Sequence, residues 1–162
     1  MRLLKRLLNR ATPRESFTAA TLPLCEHRDE MSVFTEEELR YLSGGRQLGR
    51  IATVGADGTP HVVPVGWIYN AASETIDISG HELERTKKFR DAARSGRGAI
   101  VIDDLESIDP WRPRGIEVRG RAEAITMPTP LIRIHPERIV SWGLGSGRSA
   151  RTVAASPGAE EG

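Results

Sequence analysis

Apolar and polar residues alternate along much of the chain after residue 50. In "GIEVRGRAEAI", Ile116, Val118, Gly120, Ala122 and Ala124 fall on one side, and Glu117, Arg119, Arg121 and Glu123 fall on the other. That period of two is the signature of a strand with one buried face. "TIDIS" repeats it with Ile76 and Ile78, "LIRIH" with Ile132 and Ile134, and "RIVSW" carries it past Pro136. "RIATV" and "HVVPVGWIY" flank "GADGTP", whose Asp57-Gly58 pair is a hairpin signal. "GAIVIDD" is a short apolar run and predicts a buried strand. These segments make about six strands with hairpin-length connections and no internal repeat.

Two stretches follow a helical pattern instead. "FTEEELRYLSGG" has Thr35 as N-cap and Glu38 at the capping-box spacing, an apolar face at Leu39 and Leu42, and Gly44 or Gly45 as its end. "RTKKFRDAARSG" is a second helix ending at Gly96. Its start is open: at Thr86, with Lys87 and Lys88 in the first turn, or at Glu82, with acids in the first turn and the lysines on a solvated face. Few helices and many strands predict a mainly β antiparallel barrel or sandwich, since a parallel sheet would need a helix after every strand. Pro64 cannot donate to a ladder, so it marks an edge or a bulge. Gly66 allows close approach of a ligand or of a neighbouring backbone at a barrel corner.

The chain of 162 residues suits one compact domain. Aromatic residues are 5% of it, so its core is aliphatic. A net charge of +1 gives no general argument for nucleic acid or an acidic membrane surface. One cysteine, Cys25, excludes an internal disulfide framework and suits a reducing, cytoplasmic setting. No stretch approaches the ~18 apolar residues of a membrane span. Residues 1–30 open with "MRLLKRLLNR", leucines and basic residues at helical spacing. They are expected to be a flexible extension, with an amphipathic helix on a membrane or partner as the alternative. Residues 31–145 are the expected domain, and the small, polar residues 146–162 an expected disordered tail.

Candidate chemistry narrows quickly. His27, His61, His81 and His135 show no paired spacing, the single cysteine removes thiolate-rich metal sites, and no GxSxG elbow is present. No metal site is expected. If the second helix starts at Thr86, free amides, a hydroxyl and two ammonium groups converge there, which suits an anion such as phosphate. "DDLESIDPWRPRG" places Trp111, Arg112 and Arg114 in a stiff loop. They offer a flat ring surface and planar donors for carboxylate or phosphate, unless the loop is a plain connector. Trp142 either closes the barrel end or faces a ligand.

The order of "GRIATVGADGTPHVVPVGWIYN", "TIDISGHELERTKKFRD", "VIDDLESIDPWRPRGIEVRGRAEAI" and "LIRIHPERIVSWG" resembles the pyridoxamine 5'-phosphate oxidase-like, FMN-binding split-barrel superfamily, and within it the coenzyme F420-dependent branch. The resemblance covers about residues 31–144. It implies a six-stranded antiparallel split β-barrel acting as a homodimer, with cofactor grooves between subunits. It implies that Thr86, Lys87 and Lys88 hold the cofactor phosphate and that Pro64, Val65 and Gly66 line its ring. Arg50 and Thr53 are further candidates, and Trp111, Arg112 and Trp142 would reach across from the second subunit. The implied activity is hydride transfer from reduced coenzyme F420 to a flat conjugated small molecule, with no side chain assigned a catalytic role. An FMN-binding oxidase-like protein is the alternative, followed by a non-enzymatic barrel that binds flavin or nucleic acid. Against nucleic acid, the strand surfaces lack base-stacking aromatics. The sequence departs from the family at residues 1–30 and in the short connector "AITMPTPLIRI".

Overall fold

The computed structural model describes residues 32–44, 48–145 and 147–154. The expectations for residues 1–30 lie outside them. Helix α1 (Glu36–Ser43) starts on the expected capping box: Thr35 Oγ1 accepts from the Glu38 amide, and the Glu38 carboxylate accepts from the Thr35 amide. Among the described residues eight strands follow the helix. They are β1 (Gly49–Val54), β2 (Pro60–Val65), β3 (Trp67–Asn70), β4 (Thr75–Ile78), β5 (Arg97–Ser107), β6 (Arg112–Ile125), β7 (Leu131–Trp142) and β8 (Ser149–Thr152). Between β4 and β5 lie a single 3-10 turn (Leu83–Arg85) and helix α2 (Lys87–Ser95).

The described strands form one sheet in the order β2-β1-β5-β6-β7-β4-β3, with β8 added against β7. Each pairing is antiparallel. The two ends of this order, β2 and β3, are consecutive in the chain and meet at Gly66. The sheet therefore curls into a barrel, which stays split because no ladder among the described residues joins β2 to β3.

The expected six strands become eight for two physical reasons. "HVVPVGWIY" looks continuous by hydrophobicity, but its halves bond to different neighbours, β2 to β1 and β3 to β4. Pro64 stands on the edge strand, where a missing donor costs no ladder bond. The second reason corrects the expected tail at 146–162. Within it Ser149–Thr152 pairs with β7 from Ser141 to Arg138. Arg151 also bonds the Glu38 carboxylate at 2.5 and 2.9 Å, so β8 is tied to α1 by an ion pair that no local pattern announces.

The core is aliphatic, as composition requires. Ile51, Ile76, Ile78, Ile100, Ile102, Ile116, Ile132, Ile134 and Ile139 are fully buried. Burying such a side chain contributes about 1.5–3 kcal/mol each. The alternation read in β6 holds: Ile116, Val118, Gly120 and Ala122 face inward. Opposite them β7 carries a bulge, where Arg119 pairs with Arg138 but Gly120 pairs with Pro136. Phe89 and Ala92 of α2 are buried within the same core.

Candidate functional site

Helix α2 begins at Thr86, which settles the open alternative against Glu82. Thr86 is extended (φ −81°, ψ 154°), accepts from the Phe89 amide at 3.4 Å and donates to the Leu83 carbonyl at 2.6 Å. The preceding 3-10 turn holds Glu84, and Glu82 lies before it in a left-handed conformation. No acid is left for the first turn of α2. Its leading amides lack intrahelical acceptors and form the positive end of the helix.

The two lysines there have different surroundings. Lys87 Nζ lies 2.9 Å from Asp91 Oδ2, one turn further along. The same carboxylate accepts from Thr53 Oγ1 on β1 at 3.3 Å, and Arg94 stands 3.9 Å from its other oxygen. Asp91 is buried, with its side chain 8% exposed. The hydrogen bond from Lys87 holds its carboxyl below the usual range, against the opposing effect of burial. Asp57, in the β1–β2 turn, is also lowered, chiefly by the Thr59 amide and hydroxyl and further by Lys87. A Cβ placed on Gly55 would stand 2.7 Å from Asp57 Oδ1 and 2.9 Å from Lys87 Nζ, so both groups crowd one point.

Lys88 is half-buried and has no ion-pair partner among the described residues. At ~100° per residue it falls on the stripe of α2 that includes buried Ala92, not on the Lys87 side. Thr53 is buried, and His61 sits directly opposite it on β2. The Nδ1 of His61 is enclosed and has no hydrogen-bond partner among the described residues. Beside this corner runs a groove of about 440 Å³, with Ala52, Gly98 and Ala99 among its small residues and Arg97, Arg119 and Arg138 among its charged ones.

The other sequence candidates divide into two places. Arg50 pairs in register with Pro64 and forms an ion pair with Asp103. Val65 is a core residue, while Pro64 and Gly66 are exposed on the edge and at the corner. Trp111, 66% exposed, and Arg112, 3.9 Å from Glu106, stand at the tip of the β5–β6 hairpin. Arg114 is doubly bonded to Asp104 at 2.7 and 3.0 Å. Trp142 lies over Gly115, where a Cβ would come within 2.7 Å of its ring. From Gly98, level with Thr53, to Ser107 at the tip, β5 spans roughly 30 Å at ~3.3 Å per residue. Within one chain, the tip and the α2 corner are therefore separate.

Asp91, Asp57 and Arg94 were not among the sequence candidates. The i,i+4 spacing of Lys87 and Asp91 was a legible signal, but the contact with Thr53 depends on how α2 lies against β1. Among the described residues no cluster of three or more His, Cys, Asp or Glu could hold a metal ion. None of the described helices is long and apolar enough to cross a membrane.

Residues 35–153 match the pyridoxamine 5'-phosphate oxidase family. The chain is 40% identical over 140 residues to a 5a,11a-dehydrotetracycline/5a,11a-dehydrooxytetracycline reductase of Streptomyces rimosus, covering 77% of this chain and 96% of that one. A heme binding protein from Mycobacterium smegmatis superposes with a TM-score of 0.56 at 16% identity. The match covers 72% of this chain and 57% of that protein, so this chain spans little more than half its length. An FAD binding protein from the same organism superposes with a TM-score of 0.51 at 22% identity, over 66% of this chain and 92% of that one. These two likenesses concern the fold alone.

Proposed function

Because the chain belongs to the pyridoxamine 5'-phosphate oxidase family, we propose that it is an oxidoreductase using reduced coenzyme F420 to transfer a hydride to a flat conjugated acceptor. The observation that carries the cofactor assignment is the half-buried Lys88, without an ion-pair partner among the described residues, at a helix start without acids. Next to Thr53, the enclosed His61 Nδ1 leaves a polar valence that a ligand could satisfy. A groove of about 440 Å³, within the size range of small-molecule sites, includes Thr53 in its lining. These residues fit a flat ring that carries a phosphate.

In this reading the leading amides of α2 donate to the phosphate and Lys88 supplies its counter-charge. Thr86 keeps the helix start in place through its two hydrogen bonds. The small residues Ala52, Gly98 and Ala99 let a ring lie close to the sheet. Reduced deazaflavin, when bound, supplies the hydride, so the chain's task is to align two flat molecules and exclude water. Trp111 and Arg112 would cover the groove only from a second copy, since in one chain they lie at the far end of β5. A homodimer belongs to this proposal. The reductase of S. rimosus, named for a dehydrotetracycline, supports a conjugated polycycle as acceptor class.

Fluorescence titration with coenzyme F420, FMN and haem tests the assignment, followed by turnover of a polycyclic enone with the reduced cofactor. Coenzyme F420 should bind tightest and reduce the enone. Tighter binding of FMN would favour the second reading, an FMN enzyme at the same corner, which the family itself supports. Binding of neither would remove the phosphate site.

A further inference from the structure

One row of residues crosses the outer face of the barrel. Val62 pairs with Ala52, Ala52 with Ala99, Ala99 with Arg119, and Arg119 with Arg138. Paired residues on neighbouring strands face the same side. The adjacent row, Ile51, Ile100, Val118 and Ile139, is fully buried, so this one faces outward. At a strand spacing of ~4.8 Å, Val62, Ala52 and Ala99 make an apolar shelf roughly 10 Å wide, with the two arginines at its edge. Val62 is 61% exposed, and the other four residues line the groove of about 440 Å³.

The charges of that groove are uneven. Its charged lining residues are Arg97, Arg119, Arg138 and Glu137. Arg97 pairs with Glu137, and Arg119 with Glu117 at 2.7 Å. Arg138 has no ion-pair partner among the described residues and stands between Arg119 and Thr152 of β8. Further along the same face, Arg50 is paired with Asp103 and Arg121 with Glu123. Arg90 and Arg94 of α2 lie outside the lining and donate to the Arg85 and Val54 carbonyls, and no carboxylate of α2 lines the groove. Like charges directly opposite on neighbouring strands repel, and Glu117 relieves only one of the two arginines.

We infer that Arg138 is a specificity-determining residue, which selects an acceptor carrying a carboxylate or an ionised enol at one edge of its flat ring system. The inference rests on the reading that a flat acceptor lies in this groove, and adds the charge of that acceptor. The rings lie on the shelf of Val62, Ala52 and Ala99. The anionic edge meets the Arg138 guanidinium, whose planar fork matches two coplanar oxygens. An anion there also offsets the repulsion between Arg138 and Arg119, which a neutral ring leaves in place.

The test uses 2-naphthoate and its neutral methyl ester, flat probes that share their rings and differ in charge. Dissociation constants are read by ligand-observed NMR without cofactor, at low salt and about pH 8, where an ordinary imidazole is neutral. The parent should bind the carboxylate about tenfold tighter than the ester, as one charge-assisted contact allows. Arg138→Gln should bring the two within about threefold by weakening the carboxylate alone, and Arg138→Lys should keep part of the preference. Glu137→Gln removes the opposing charge from the lining and should raise the preference above that of the parent. Equal binding of the probes to the parent, binding of neither, or a ratio unmoved in Arg138→Gln overturns the inference. If Arg138→Gln fails to fold, Arg138→Lys and Glu137→Gln decide by the same ratio. Coenzyme F420 is titrated into the same variants. A loss of its affinity in Arg138→Gln with the probe ratio unmoved assigns the anion to the cofactor, and a halved mass in light scattering with that ratio unmoved makes the row a contact between copies; either result overturns the inference. Because the probes need no cofactor, failure of coenzyme F420 to bind the parent refutes the function proposed above, whereas a level probe ratio refutes only the role of Arg138.

Discussion

Lys88 carries the same charge as Lys87 without its two carboxylates, and substitution should separate them. A hydrogen bond to a charged group contributes roughly 1.5–3 kcal/mol. Lys88→Ala should therefore weaken coenzyme F420 binding by about ten- to a hundredfold, most clearly at low salt where screening is weak. Its melting temperature should stay near that of the parent, because no paired partner is abandoned. Lys87→Ala should change affinity less but lower stability, since it removes a donor from buried Asp91. Equal affinity losses in titrations of the two variants would contradict this division. Both lysines were visible in "TKK", but the carboxylates that distinguish them come from one helical turn away and from the β1–β2 turn.

Among the elements, α1 and β8 depend on one ion pair. Burial raises the Glu38 pKa, but hydrogen bonds from Arg151, the Thr35 amide and Ser141 outweigh it, and the net shift is below the ordinary value of 4.5. A group whose folded pKa is depressed stabilises the fold above its unfolded pKa, and that contribution is lost as pH falls through the folded value. Unfolding in urea should show stability dropping as pH falls below 4.5, with a shallower drop in Glu38→Gln. Arg151→Ala leaves the buried carboxylate unpaired at any higher pH and should cost about 3 kcal/mol in the same measurement. The β6–β7 bulge makes a sharper demand. A Cβ on Gly120 would lie 1.9 Å from the His135 carbonyl, so Gly120→Ala should prevent native folding or displace the bulge. Gly66 has nothing within 4 Å of such an atom, and Gly66→Ala should keep the parental circular dichroism and melting temperature.

For the whole molecule, the separation of the hairpin tip from the α2 corner motivates the dimer. Exposed Val62, Ile68, Ile108 and Trp111 leave apolar surface that a second copy could cover. Light scattering after size exclusion should give about twice the mass of one chain at micromolar concentration. Trp111→Ala should then weaken cofactor binding through the partner's groove. A monomer that binds cofactor with undiminished affinity after this substitution would show that one chain makes the whole site.

The sequence by itself determined the features that arise from neighbours along the chain. The alternation of Ile116, Val118, Gly120 and Ala122 predicted the buried face of β6, because side chains of a strand alternate regardless of what they meet. Thr35 with Glu38 predicted a helix start, and Asp57-Gly58 a turn, because both rest on bonds spanning a few residues. The family resemblance placed the split barrel and Thr86, Lys87 and Lys88 within it. Tertiary structure alone decided where "HVVPVGWIY" divides, since hydrophobicity is the same whichever strand supplies the hydrogen bonds. It alone brought Ser149–Thr152 onto β7, where Arg151 meets a carboxylate 113 residues away. It also brought Thr53 to Asp91 across 38 residues, and so assigned Lys87 to an internal pair. Charge is written in the sequence, but its compensation depends on distances that only the packed fold sets.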